Sequence, residues 1–128
     1  MQRLLYISTS RGPIVQTALD AILRVSRRNN AAVGITGLLV TGGTRFLQVL
    51  EGEPDVVAAT FARISADPRH FAIVRLANQT VDQRTFANWQ MGHATGGNGT
   101  TVAQITAGIA DPSLRAYFDG FAEVHAAA

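Results

Sequence analysis

The sequence predicts an α+β sandwich: a five-stranded mixed sheet with two helices on one face and further helices at the C-terminal end. Three observations carry this. Apolar segments follow strand and helix spacing in the order β-α-β-β-α-β-β. Prolines stand where both helices are expected to begin, Pro13 and Pro54. A glycine turn, "TGGT" at 41–44, joins two apolar, β-branched runs as a central hairpin.

Each element has its own justification. "RLLYIS", 3–8, reads as a strand with Leu4, Tyr6 and Ser8 on one face. From Pro13 to about Arg28, Val15, Ala18, Leu19, Ile22 and Val25 repeat at helical spacing, and "RNN" is expected to close the helix, since asparagine tolerates the left-handed conformation. "VGITGLLV", 33–40, and "RFLQVLEG", 45–52, form the hairpin. In "EPDVVAATFARISAD", Pro54 takes the first helical position, Glu53 and Asp55 suit the positive end of the helix dipole, and Val57, Phe61 and Ile64 mark the buried stripe. "FAIVRLANQTV", 71–81, is a fourth strand, and a fifth is expected within 84–94. This is the ferredoxin-like order with one added strand, and it places the first and third strands side by side at the centre. The chain divides near residue 95: a folded domain over 1–95, then a Gly-rich linker from "TGGNGTT" and a C-terminal helical extension over 96–128, with weaker helical patterns near 101–109 and 112–126.

Composition narrows the function. A chain of 128 residues fits one domain, and with 47% apolar residues it can build a core unaided. Cysteine is absent, which excludes disulfides, thiolate metal sites and a cysteine nucleophile. His70, His93 and His125 lack metal-ligand spacing, so no metal site is expected. No apolar run approaches the roughly 20 residues that span a bilayer, and the N-terminal apolar run is too short for a secretory signal; a cytoplasmic location is expected. The net charge is +2, all basic residues are arginines, and they are scattered, which argues against a nucleic-acid interface.

Gln48 poses the functional question. Strand alternation puts it between Phe46 and Leu50 on a core face. An unpaired buried amide costs about 1–3 kcal/mol, so it needs partners. Tyr6 would face it from the neighbouring strand, and Asn30 follows the first helix. Structural readings exist for all three, with Tyr6 satisfied locally and Asn30 capping the helix. A flat heteroaromatic ligand with a mixed donor and acceptor edge, such as an isoalloxazine, would also answer all three, with Ile22 and Ile64 flanking an apolar slot.

The pieces "YIS" at 6–8, "SRRNNAAVGITGLLV" at 26–40, "FLQVLEG" at 46–52, "DPRH" at 67–70 and "FANWQM" at 86–91 occur in an order and spacing that resembles the BLUF family of flavin-binding blue-light sensors. The resemblance covers residues 1 to about 95. It implies a non-enzymatic photoreceptor holding FAD, with FMN or riboflavin as possible substitutes. It implies that Tyr6 is the photoactive tyrosine, Gln48 the switching glutamine, and Trp89 and Met91 the pair that exchanges places near the glutamine in some members. The implied cofactor-binding set is Tyr6, Ile22, Asn29, Asn30, Gln48, Ile64, Asp67, Arg69 and His70. Asn29 stands where some members carry histidine. Arg69 and His70 match a basic pair near the ribityl-phosphate end. Excitation would draw an electron and then a proton from Tyr6, and their return would leave the Gln48 amide rotated or tautomerised.

With no catalytic output domain following, a short stand-alone form that signals to a separate downstream protein is expected, together with self-association and no membrane contact. Two other readings fit the fold order. One is a non-photoactive ferredoxin-like binding or oligomerisation module. The other is an acylphosphatase-like hydrolase using "TSRGP" and Asn30, which leaves Gln48 unexplained.

Overall fold

The computed structural model describes residues 1–87, 89, 91–95, 105–106 and 108–125. The elements are β1 (Gln2–Ser10), α1 (Gln16–Val33), β2 (Thr36–Gly42), β3 (Arg45–Gly52), α2 (Pro54–Ser65), β4 (His70–Thr80), β5 (Gly92–Thr95) and α3 (Pro112–His125). The strands form one mixed sheet in the order β4-β1-β3-β2-β5, antiparallel except where β5 runs parallel to β2. This is the expected ferredoxin-like sheet with its fifth strand added beside β2. The expected linker begins at Thr95, which instead ends β5; the rest of it, 96–101, and most of the helical pattern at 101–109 lie outside the described residues.

Helix α1 differs from expectation at both ends. It begins at Gln16 rather than Pro13, because the preceding segment is tied to the sheet: Ser10 N–H donates to Thr44 O (2.7 Å) and Arg11 N–H to Arg69 O (3.0 Å). It runs through "RNN" to Val33 and ends on Gly34, whose φ of 74° supplies the left-handed cap. Glycine adopts that conformation without the steric cost an asparagine carries, so the helix ends there and Asn29 and Asn30 lie within it. Its buried apolar residues are Leu19 and Leu23, while Val15 and Val25 are exposed. Helix α2 starts on Pro54 as expected, with Asp55 in its first turn.

The sheet separates two cores. On one face Leu4, Tyr6, Leu39 and Leu50 pack beneath Leu19 and Leu23 of α1 and Val57 of α2, with Met91 in the same cluster. On the other face Leu5, Leu38, Val40, Leu47 and Val49 meet Leu114, Phe118 and Phe121 of α3. Helix α3 thus covers the face that α1 and α2 leave open. Asp111 starts it: Oδ1 accepts from Ser113 N–H (2.9 Å) and Leu114 N–H (3.2 Å), and Oδ2 pairs with the guanidinium of Arg3 (2.6 Å). The Leu114 amide foremost, with Arg3 and the Ser113 amide, holds the Asp111 carboxyl below its usual range.

The segment between β4 and β5 is anchored by polar groups. Glu51 on β3 is fully buried, and its two oxygens accept from the backbone N–H groups of Thr85 and Phe86, each at 2.8 Å. Arg84 donates to Gly34 O (2.6 Å), Thr36 Oγ1 (2.8 Å) and Glu51 O (3.0 Å), joining this segment to the end of α1. Burial of this polar group is tolerated because both of its oxygens are hydrogen-bonded.

Candidate functional site

Tyr6 and Gln48 are direct cross-strand partners in the β1–β3 ladder, and Gln48 pairs with Leu39 on its other side. In a strand pair, opposed side chains lie on the same face and in reach of one another. The Tyr6 hydroxyl donates to Gln48 Oε1. Both residues are buried. Burial pushes the Tyr6 phenol well above its usual pKa, and the negative charge of Asp67 adds to the effect, so the ring stays neutral. Phe61 of α2 packs against it with ring centroids 5.1 Å apart.

The amide nitrogen of Gln48 faces Met91 and donates to its sulfur at 3.4 Å. A thioether is a weak acceptor. The amide therefore retains a second N–H and a second acceptor lone pair beyond these contacts. Met91 is held by its backbone as well, since Arg27 Nε–H donates to Met91 O at 2.8 Å.

Tyr6, Leu39, Phe46 and Gln48 form the sheet side of a cavity of about 260 Å³ beneath α1 and α2. Ile22, Val25, Ser26, Asn29 and Asn30 line it from α1, and Thr60, Arg63 and Ile64 from α2. Ser8, Asp67, Arg69 and His70 complete it. Ligand pockets usually start near ~300 Å³, so this one suits a ring system whose attached chain extends outside. Arg63 and Arg69, both lining the cavity, are solvent-exposed. Aliphatic groups for the faces and amides for the edge are what an isoalloxazine requires, so the residues present fit a flavin.

Most of the residues expected at the site line this one cavity: Tyr6, Ile22, Asn29, Asn30, Gln48, Ile64, Asp67, Arg69 and His70. The last three are already engaged with protein. Arg69 pairs with the Asp67 carboxylate through Nε (2.9 Å to each oxygen) and Nη2, and this hydrogen bonding lowers the Asp67 pKa. His70 spans Ser8 Oγ at Nδ1 (2.8 Å) and Ile64 O at Nε2 (2.7 Å). A carbonyl only accepts, so Nε2 carries a proton, and in the neutral ring Ser8 donates to Nδ1.

Met91 lies beside Gln48, whereas Trp89 does not line the cavity. Trp89 is 39% exposed and stacks on Phe86 with centroids 5.8 Å apart and planes at 22°. Several participants were not singled out from sequence, among them Ser8, Phe46, Arg63, Arg27 and Glu51. Ser8 and Phe46 could have been, because alternation puts them on the faces of Tyr6 and Gln48. Arg27 and Glu51 carried no comparable signal, since their partners are backbone groups distant in sequence.

The comparisons agree with this geometry. Residues 1–92 match the profile of the BLUF family, described as sensors of blue light using FAD. The photoactivated adenylate cyclase subunit beta of Euglena longa is 36% identical over 93 residues, which is 72% of this chain and 11% of that protein. The chain therefore spans about a tenth of the length of that relative. Among solved structures, the dark state of BlrB, a BLUF protein, superposes with a TM-score of 0.71 at 30% identity, covering 91% of this chain and 82% of that one. Klebsiella pneumoniae BlrP1 with FMN and cyclic diGMP gives 0.83 at 25% identity, over 95% and 34%. The chain belongs to the BLUF family. It is thus a flavin-using blue-light sensor module. Among the described residues no helix is long and apolar enough to cross a membrane.

Proposed function

We propose that this protein binds FAD in the cavity beneath α1 and α2 and converts blue light into a rearrangement of the Tyr6–Gln48–Met91 chain, read by a downstream protein. The observation that carries the reading is Gln48 itself: an amide between a phenol donor and a thioether acceptor, on the floor of a slot that fits a flavin ring. The family description favours FAD, although a BLUF-bearing neighbour holds FMN.

Bound flavin supplies a blue-absorbing ring that becomes a strong oxidant when excited. Ile22 and Ile64 would flank the faces of the ring. Asn29, Asn30 and the spare groups of Gln48 would serve its polar edge. Asp67, Arg69 and His70, with Arg63, would hold the tail end. Tyr6 would give up an electron and then a proton and take both back, so no net oxidation of the residue remains. Its phenol is neutral and its hydrogen already points at Gln48 Oε1.

Gln48 then exchanges donor for acceptor, by rotation or by tautomerisation. Rotation places oxygen opposite Met91 Sδ, and two acceptors cannot hydrogen-bond, so Met91 loses its tie to β3. In this buried setting the loss is felt by neighbours. Strand β5, which begins next to Met91, is the first relay, and α3 on the far face is the output surface. The relatives' names, photoactivated adenylate cyclase subunits, point to an effector of that kind in those proteins.

The test is direct. Flavin released from the purified protein should be FAD. Its absorption should move to the red under blue light and return in darkness. A protein that stays colourless after incubation with FAD, or whose spectrum ignores light, contradicts the proposal.

A further inference from the structure

Trp89 and Met91 both carry large side chains, and the structure seats Met91 against Gln48 while the indole of Trp89 lies outside the cavity lining. We infer that Gly92 and Arg27 are the positioning residues that set this arrangement, Gly92 as a ledge for the indole and Arg27 as a clamp on the Met91 backbone. The functional weight of the arrangement rests on the proposed Gln48 switch, but the arrangement itself does not.

Gly92 has no side chain where the indole needs space. A Cβ built there would lie 2.7 Å from Trp89 Cε3 and 3.0 Å from Cδ2, with Leu38 Cδ1 at 3.2 Å. Carbon atoms in contact sit about 3.5–4.0 Å apart, so the indole, a rigid unit, must move as a whole. Leu38 is enclosed in the core and yields less readily than a ring bordering solvent. Inward movement is blocked while Met91 holds its seat. The backbone of Trp89 is pinned on both sides, with its N–H donating to Phe86 O and its carbonyl accepting from Gly37 N–H, each at 3.0 Å. An alanine at 92 therefore drives the indole outward, off its Phe86 stack.

Arg27 supplies the other half. Its Nε–H reaches across from α1 to Met91 O at 2.8 Å. Without that bond the carbonyl loses a charge-assisted donor, and Met91 is held by its packing in the core cluster and the weak contact from Gln48. The relevant atom is Nε. A glutamine carries its amide nitrogen at the same number of bonds from Cα, so it can restore the bond without the charge.

The chain has one tryptophan and two methionines, the second being Met1, which makes both seats readable without labelling at engineered sites. The experiment uses the purified protein in darkness, with acrylamide quenching of Trp89 fluorescence and carbon-13 methyl spectra of methionine. Gly92→Ala should raise the quenching constant and shift emission to the red. Arg27→Leu should move and broaden the Met91 methyl resonance, and Arg27→Gln should return it toward its original position. Unchanged quenching in folded Gly92→Ala overturns the ledge. An unmoved methyl signal in Arg27→Leu, or Arg27→Gln behaving like Arg27→Leu, overturns the clamp. Arg27 is exposed at the helix surface, so its variants remain informative even if Gly92→Ala does not fold. Neither readout depends on a blue-light response, so a protein without one would defeat the proposed function and leave these outcomes unaffected.

Discussion

Tyr6 and Gln48 oppose each other across the β1–β3 ladder, and the phenol hydroxyl donates to the amide oxygen at the base of the cavity. The pair needs no loop to bring it together. Each residue is held by a central strand with neighbours on both sides, so the geometry is as rigid as the sheet.

Tyr6→Phe keeps the ring packing against Phe61 and removes one donor. The variant should retain flavin and lose the light-induced red shift. Stability should fall by about 1–3 kcal/mol, because a buried acceptor on Gln48 is left without its partner. Urea unfolding followed by absorption spectroscopy in light and dark measures both effects. A normal red shift would remove Tyr6 from the mechanism.

Glu51 offers a prediction about architecture. Its carboxylate ends the backbone donors of Thr85 and Phe86. Glu51→Ala strands two buried N–H groups and should cost about 3–5 kcal/mol, with hydrogen exchange at those amides strongly accelerated. Glu51→Gln keeps one acceptor and should lose less. Equal stability of Glu51→Ala and wild type would show that the segment before β5 is held by something else.

His93 predicts a pH dependence. Its Nε2 lies 3.0 Å from the Thr41 hydroxyl on the neighbouring strand. Burial first, then the charge of Arg27, holds the imidazole below its ordinary value of 6.5, against an opposing contribution from Asp20. Below that value the unfolded chain takes up a proton that folded His93 resists. Stability should therefore fall as pH drops from about 6.5 and level off once the folded form also protonates. His93→Asn should flatten this part of the profile in unfolding midpoints measured across the range. A wild-type profile already flat there would contradict it.

The central pairing was legible because it depends on two short-range regularities, strand alternation and element order. Alternation put Gln48 between Phe46 and Leu50, and the ferredoxin-like order put Tyr6 opposite. The end of α1 was not legible from "RNN", because Gly34, four residues beyond Asn30, competes better for the left-handed cap. That shift moved Asn30 from a cap position to a buried place inside the helix, lining the cavity. The places of Trp89 and Met91 were hidden for a different reason. They lie in an irregular segment whose path is set by Glu51, Arg84 and Arg27, through backbone contacts between residues 33 to 64 positions apart.

Gln48→Leu tests the account most directly. The leucine fills the same buried volume on β3 without donor or acceptor, so the purified variant should still carry flavin. Its light-minus-dark difference spectrum should be flat where the wild type shows a reversible red shift. A flavin-loaded Gln48→Leu protein that still shifts to the red under blue light would contradict the claim that the amide is the switch.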